Sequence, residues 1–186
     1  MVPAPLTPFP GHRRAPQATP GGSAHWGWRA LHDGDLAWLA TLYASTREEE
    51  LRSVPWPAQA RQQFLAQQFA AQHQHYLAQH PHAHYLAILC EGLPAGRFYV
   101  DENGEDDLIV DISLLPVWRG RGLGTAVIGC QQQASAARGR ALRLHVMRHN
   151  VAAQRLYTRL GFVGVDVAPS DAYLPMYWTQ PVTPVS

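Results

Sequence analysis

LIVDISLLPVWRGRGLGTA, residues 108–126, runs from an apolar stretch through a proline into three glycines set among arginines, then into a helix-forming run. Residues 108–115 read as a buried strand that Pro116 closes. Residues 125–139 read as a helix whose Val127, Ile128, Cys130 and Ala134 can lie on a sheet. Glycine loses more conformational freedom on folding than any other residue and adds nothing to a core. Glycines at 120, 122 and 124 beside Arg119 and Arg121 therefore point to backbone N–H groups brought close to an anion at a helix N-terminus.

On either side the chain alternates between the two periodicities. HWGWRAL (25–31) reads as a first strand that enters a helix at Asp33, and residues 35–45 stripe Leu36, Leu39 and Tyr43 at helical spacing. TREEELRSVPWP breaks that pattern, and a long glutamine-rich helix carrying Leu65, Phe69, Tyr76 and Leu77 follows, ended by Pro81. AHYLAILC (83–90) and RFYVDENG (97–104) read as two strands around a tight connection. ALRLHVM (141–147) alternates, with Leu142, Leu144 and Val146 on one face and Arg143 and His145 on the other. Asn150 caps a short helix to Leu160, Gly161 ends it, and FVGVDVA and AYLPMYW supply the last strands. The expectation is an α/β fold in one domain, residues 23–180, with a mixed central sheet of about seven strands and about four helices. Residues 1–22, with six prolines and three glycines, read as a disordered arm, and residues 181–186 as a tail.

A composition of 46% hydrophobic and 16% charged residues is that of an ordinary globular domain. No apolar run approaches the roughly 20 residues of a membrane span, and Arg13 and Arg14 are followed by no apolar segment of a secretion signal. A cytoplasmic protein without a membrane partner is expected, with Cys90 and Cys130 as reduced thiols. All fifteen basic residues are arginine; residues 112–165 hold eight of them and no acid. Such a block favours a phosphate-bearing ligand. The histidines at 73, 75, 80, 82 and 84 have no metal-ligand spacing, and no metal is expected.

Two phosphate motifs are excluded. A P-loop requires a lysine after its last glycine, and the chain has none. The dinucleotide fingerprint requires glycine at 125, where threonine stands, and an acid about twenty residues further on, whereas the next acid is Asp166.

Arg119-Gly120-Arg121-Gly122-Leu123-Gly124 resembles the R/Q-x-x-G-x-G/A segment of the GNAT superfamily of acyl-CoA-dependent N-acetyltransferases. LRLHVMRHNVAAQRLYTRLGF (142–162) resembles its second block, a strand, an asparagine, a short helix with a tyrosine, and Gly-Phe. The resemblance covers residues 26–178 in element order and is specific over 108–162.

It implies acetyl-CoA as co-substrate, its pyrophosphate cradled by Arg119, Gly120, Arg121, Gly122, Leu123, Gly124 and Thr125. The backbone of Ile112, Ser113 and Leu114 would pair with the pantetheine arm, and Asn150 would contact the ligand beyond it. Tyr157 matches the proton donor to the departing thiolate. His145 stands where several family members carry a catalytic glutamate, with Asp111, Glu48 to Glu50 and water as rival bases. The implied reaction is direct attack of a primary amine on the thioester. The carboxylates of STREEELR (45–52), expected between the first two helices, could attract a cationic amine. The acceptor, a small molecule or a peptide amine, and the acyl-chain preference stay open, and family members often pair as dimers, so a homodimer is possible. A non-catalytic acyl-CoA-binding regulatory module is the alternative. A nucleic-acid partner is not expected, because no recognised motif accompanies a net charge of +1.

Overall fold

In a computed structural model the described residues form one sheet of seven strands in the order β1-β2-β3-β4-β5-β7-β6. The structure describes residues 6–10, 25–168 and 170–180. The strands are β1 (Trp26–Ala30), β2 (His84–Cys90), β3 (Leu93–Asp101), β4 (Asp107–Leu114), β5 (Leu142–Met147), β6 (Val163–Gly164) and β7 (Tyr173–Trp178). The helices are α1 (Leu36–Leu51), α2 (Ala58–Gln79), α3 (Leu123–Ala137) and α4 (Val151–Arg159). All neighbouring strands run antiparallel except β4 and β5, which are parallel.

Two cores sandwich the sheet. On one face α1 and α2 pack Leu39, Leu42, Tyr43 and Phe69 onto Tyr85, Ala87 and Tyr99. On the other, Val127 and Ile128 of α3 and Tyr157 of α4 meet Leu142, Leu144, Val146 and Met176. Burial of this apolar surface is the main driving force for the layered arrangement. The inner side of α3 also buries Gln131, Gln132 and Ser135. Gln132 Nε2 donates to the Leu160 carbonyl at 2.8 Å, tying α3 to the end of α4. Ser135 Oγ donates to Asp107 at 2.6 Å, and Arg138 and Arg140 also bond this fully buried carboxylate. The start of β4 is thereby locked to the end of α3.

Two expectations are corrected. Helix α1 continues through the TREEEL segment to Leu51, so Glu48 to Glu50 lie on its last turns and not between helices. An Arg47–Glu50 ion pair at 2.8 Å and the Leu51 carbonyl's bond from Arg61 at 2.6 Å hold that end. Within the proline-rich arm, residues 6–10 are packed and not disordered. Leu6 and Phe9 join the α1/α2-side core, His73 Nε2–H donates to the Thr7 carbonyl at 2.7 Å, and the Phe9 amide donates to Asp33 at 2.8 Å. Leu6 and Phe9 supply enough apolar surface to offset ordering a short stretch that prolines already stiffen. The rest of the arm and the tail at 181–186 lie outside the described residues.

Candidate active site

The register between β4 and β5 covers only Asp107↔Leu142, Leu108↔Arg143 and Ile109↔Leu144. A shift against β3 at Val110 bends β4 just beyond that point, because Tyr99 pairs with Asp111 and Val100 with Ile109. From Val110 onward β4 keeps its bonds to β3 but has no strand partner on its β5 side among the described residues. The two strands splay, and the sheet carries a gap lined on one side by the backbone of Ile112, Ser113 and Leu114. An extended amide-bearing chain could add there as a strand adds to a sheet edge. Gly96 shapes this wall: a Cβ at that position would fall on the Ser113 carbonyl oxygen.

The gap opens toward the glycine loop. Gly120 (φ 71°) and Gly122 (φ 81°) are left-handed, and Gly122 is the N-cap of α3. The backbone amides of residues 120–125 donate to no partner among the described residues. Unpaired amides at a helix N-terminus, beside Arg119 and Arg121, suit a diphosphate. Gly124 differs from the other two. It lies inside α3, where a Cβ would be in ordinary contact with Leu156 and Leu114 at 3.7 and 3.8 Å. Arg119 joins the loop to its surroundings: its Nε donates to the Leu114 carbonyl at 2.8 Å and its guanidinium reaches Ser45 of α1 at 3.4 Å. Arg121 lies over the Trp118 ring at 5.5 Å.

Within the arginine block the charges divide. Arg138 and Arg140 are consumed by Glu102 and Asp107, and Arg148 by the carbonyls of Val167, Ala168 and Asp171. Only part of the block therefore remains to act on a phosphate.

Tyr157 belongs to the α3/α4-side core, with 8% of its surface exposed and its ring 5.9 Å from Phe162. Burial, with the negative field of Asp111 across the sheet, pushes its phenol up to about 12. Asn150 caps α4, its Oδ1 accepting from the Ala153 amide at 3.1 Å. His145 is exposed and projects to the opposite face, since Leu144 and Val146 beside it enter the α3/α4-side core. Desolvation, and then the nearby Arg143, lower its pKa. At neutral pH it is an uncharged imidazole with a lone pair to offer.

Asp111 is differently employed. Its carboxylate accepts from Arg97 at 3.0 and 2.9 Å, from Tyr76 at 3.0 Å and from Ser113 at 2.9 Å. Arg97 is itself buried, lies over the Tyr99 ring at 5.2 Å, and donates to Gln72 at 2.7 Å. A carboxylate so occupied serves as a counter-ion, and a base role for Asp111 has no support in this geometry. Sequence reading missed the pair although a signal was present: each strand carries one charge in its interior amid apolar residues, Arg97 in RFYV on β3 and Asp111 in IVDIS on β4. Charges so placed must find each other. Glu48 and Glu49 are exposed on α1. Among the described residues no cluster of histidine, cysteine and carboxylate side chains could hold a metal ion, and no helix is long and apolar enough to cross a membrane.

The model of the acetyltransferase (GNAT) family matches residues 39–162. An uncharacterised N-acetyltransferase, YycN of Bacillus subtilis (strain 168), is 36% identical over 67 residues, 36% of this chain. That match spans 43% of the length of the relative. The fold is similar to PaiA N-acetyltransferase from Thermoplasma acidophilum in complex with coenzyme A, with a TM-score of 0.63 at 13% identity over 83% of this chain and 99% of that one. It is also similar to spermidine N-acetyltransferase from Vibrio cholerae in complex with CoA and spermine, with a TM-score of 0.59 at 19% identity over 84% and 96% of the two chains.

Proposed function

The chain belongs to the acetyltransferase (GNAT) family, and from that premise we propose that it transfers the acetyl group of acetyl-CoA to a primary amine by direct attack. The observation that carries the reading is the β4/β5 gap, open on the β5 side of β4 from Val110 and leading to the unpaired amides of residues 120–125. Those amides, with Arg119 and Arg121, hold the pyrophosphate of the co-substrate, and the backbone of Ile112, Ser113 and Leu114 guides the pantetheine arm along the gap. Asn150 contacts the ligand further out.

His145 accepts the proton that the amine must lose. The neutral amine adds to the thioester carbonyl, the C–N bond forms, and the C–S bond breaks. The departing thiolate takes the proton of Tyr157, and the phenolate is reprotonated by the surplus proton that the new amide nitrogen sheds as the C–S bond breaks. A phenol pushed up by burial stays protonated at neutral pH, and the same burial raises the basicity of a thiolate released beside it. His145 and Tyr157 thus work from opposite faces of one gap, so base and acid never compete for the same proton. Cys90 and Cys130 form no disulfide among the described residues, in keeping with the cytoplasmic location proposed for this protein.

The test is release of free thiol from acetyl-CoA across an amine panel. Release that depends on a particular amine supports the enzyme. Calorimetric binding of acetyl-CoA without release from any amine supports the alternative, an acyl-CoA-binding regulatory module.

A further inference from the structure

The sheet face beyond α1 and α2 is open on β5, β7 and β6. None of the buried residues packed under α1 and α2 comes from these three strands. Tyr173 and Tyr177 of β7 and Val163 of β6 stay 48, 37 and 70% exposed. His145 projects into this face beside the gap, and Arg143 precedes it by two residues on the same side. Residues two apart on a strand stand roughly 6–7 Å from each other along its axis.

Arg143 is unlike the other basic residues near the site. It is half-buried, its Nε is wholly shielded from solvent with no hydrogen-bond partner, and it forms no ion pair among the described residues. A shielded guanidinium N–H without an acceptor costs free energy, and arginine can lose its proton to nothing nearby. The carboxylates of the adjoining strands cannot serve it. Asp111 is filled by Arg97, Tyr76 and Ser113, and Asp107 by Ser135, Arg138 and Arg140. Glu48 and Glu49 on α1, and Asp166 and Asp171 between β6 and β7, are exposed and make no ion pair with it. The uncompensated charge on the open face at the base of the gap is positive.

We infer that Arg143 is the carboxylate-binding residue of the acceptor site, so that the acceptor is a small amine that itself bears a carboxylate, not a polyamine. With the amine beside His145, a guanidinium two residues away on a flexible stem reaches an acid group a few bonds from the nitrogen and can grip both of its oxygens. The location of the amine rests on the acetyl-transfer reading; the carboxylate site can be tested without turnover.

Thiol release is measured with amino acids paired against their own carboxamides, and with spermidine. The carboxylate form leads by roughly 10- to 100-fold in kcat/KM, the range of a charged hydrogen bond. In Arg143→Gln the ratio falls toward one, and Arg143→Lys restores part of it. In parallel, N-acetyl amino acids are titrated calorimetrically into the CoA-loaded protein, with circular dichroism melts to verify that each variant is folded. Loss of affinity in Arg143→Gln by a similar factor supports the site. Equal or better use of carboxamides or spermidine, with a ratio that Arg143→Gln leaves unchanged, overturns it while acetyl transfer stands. Arg143-dependent binding without turnover of any amine keeps the site and overturns the transfer reading. Neither turnover nor binding overturns both.

Discussion

Arg97 and Asp111 face each other across β3 and β4 in a two-point contact, Nε to Oδ1 at 3.0 Å and a terminal guanidinium nitrogen to Oδ2 at 2.9 Å. Both are shielded from water, and the pair lies at the bend where β4 begins to leave β5. Removing one partner strands the other charge in the sheet. Asp111→Asn is therefore expected to cost about 3–5 kcal/mol of stability, with chemistry on the folded fraction largely retained. Urea denaturation beside single-turnover rates separates the two; a normal melt with abolished turnover would instead make Asp111 the base.

Tyr157→Phe removes one oxygen from a side chain whose ring already packs against Phe162. Turnover should fall by roughly 10²- to 10⁴-fold, while the acetyl-CoA dissociation constant moves little. Since the phenol is pushed up to about 12, the parent enzyme should show no loss of rate from its ionisation below about pH 11. Equal kinetics for the variant and the parent would remove the tyrosine from the mechanism.

His145 has a lowered pKa, so its protonated form is disfavoured and the free base dominates down to below the usual histidine range of roughly 6.5. Activity limited by this base rises as pH rises through that lowered value and is lost below it. In His145→Gln the acidic limb assigned to the imidazole should vanish and leave only the limb set by the acceptor amine. A pH–rate profile identical in both proteins would return the base role to water.

The three loop glycines should not respond alike. Gly122→Ala forces an L side chain into left-handed backbone at the N-cap of α3, costing about 1–2 kcal/mol and disturbing the amides meant for the diphosphate. Gly124→Ala puts a methyl in ordinary contact with Leu156 and Leu114 and should be well tolerated in stability. Titration calorimetry with acetyl-CoA and thermal melts on both variants check the contrast.

His73 offers a pH test of the docked N-terminal segment. Its pKa is lowered chiefly by burial, against the Thr7 carbonyl, which favours its charged form. The unfolded chain therefore binds more protons at this site than the native one, and stability drops as pH falls through the histidine range. His73→Phe should flatten the slope of unfolding free energy between about pH 5 and 7. An unchanged slope would assign that pH dependence to other groups.

The strand–glycine loop–helix unit, the alternation on β5 that sends Arg143 and His145 to one face, and the cap at Asn150 are all legible in the order of the residues. These depend on periods of two and 3.6 residues and on the backbone demands of glycine, proline and asparagine, all felt within a few neighbours. Which charges are spent is settled by the folded arrangement of the sheet and helices. Asp111 is closed by Arg97, fourteen residues away, and Asp107 by Arg138, thirty-one residues away. It also decided that residues 6–10 dock, because Thr7 meets His73 sixty-six residues further along. Such pairings depend on strand order and splay, which no local pattern encodes. For the same reason Arg143, one arginine among eight in an acid-free stretch, becomes distinct only once its neighbours are seen to be paired elsewhere.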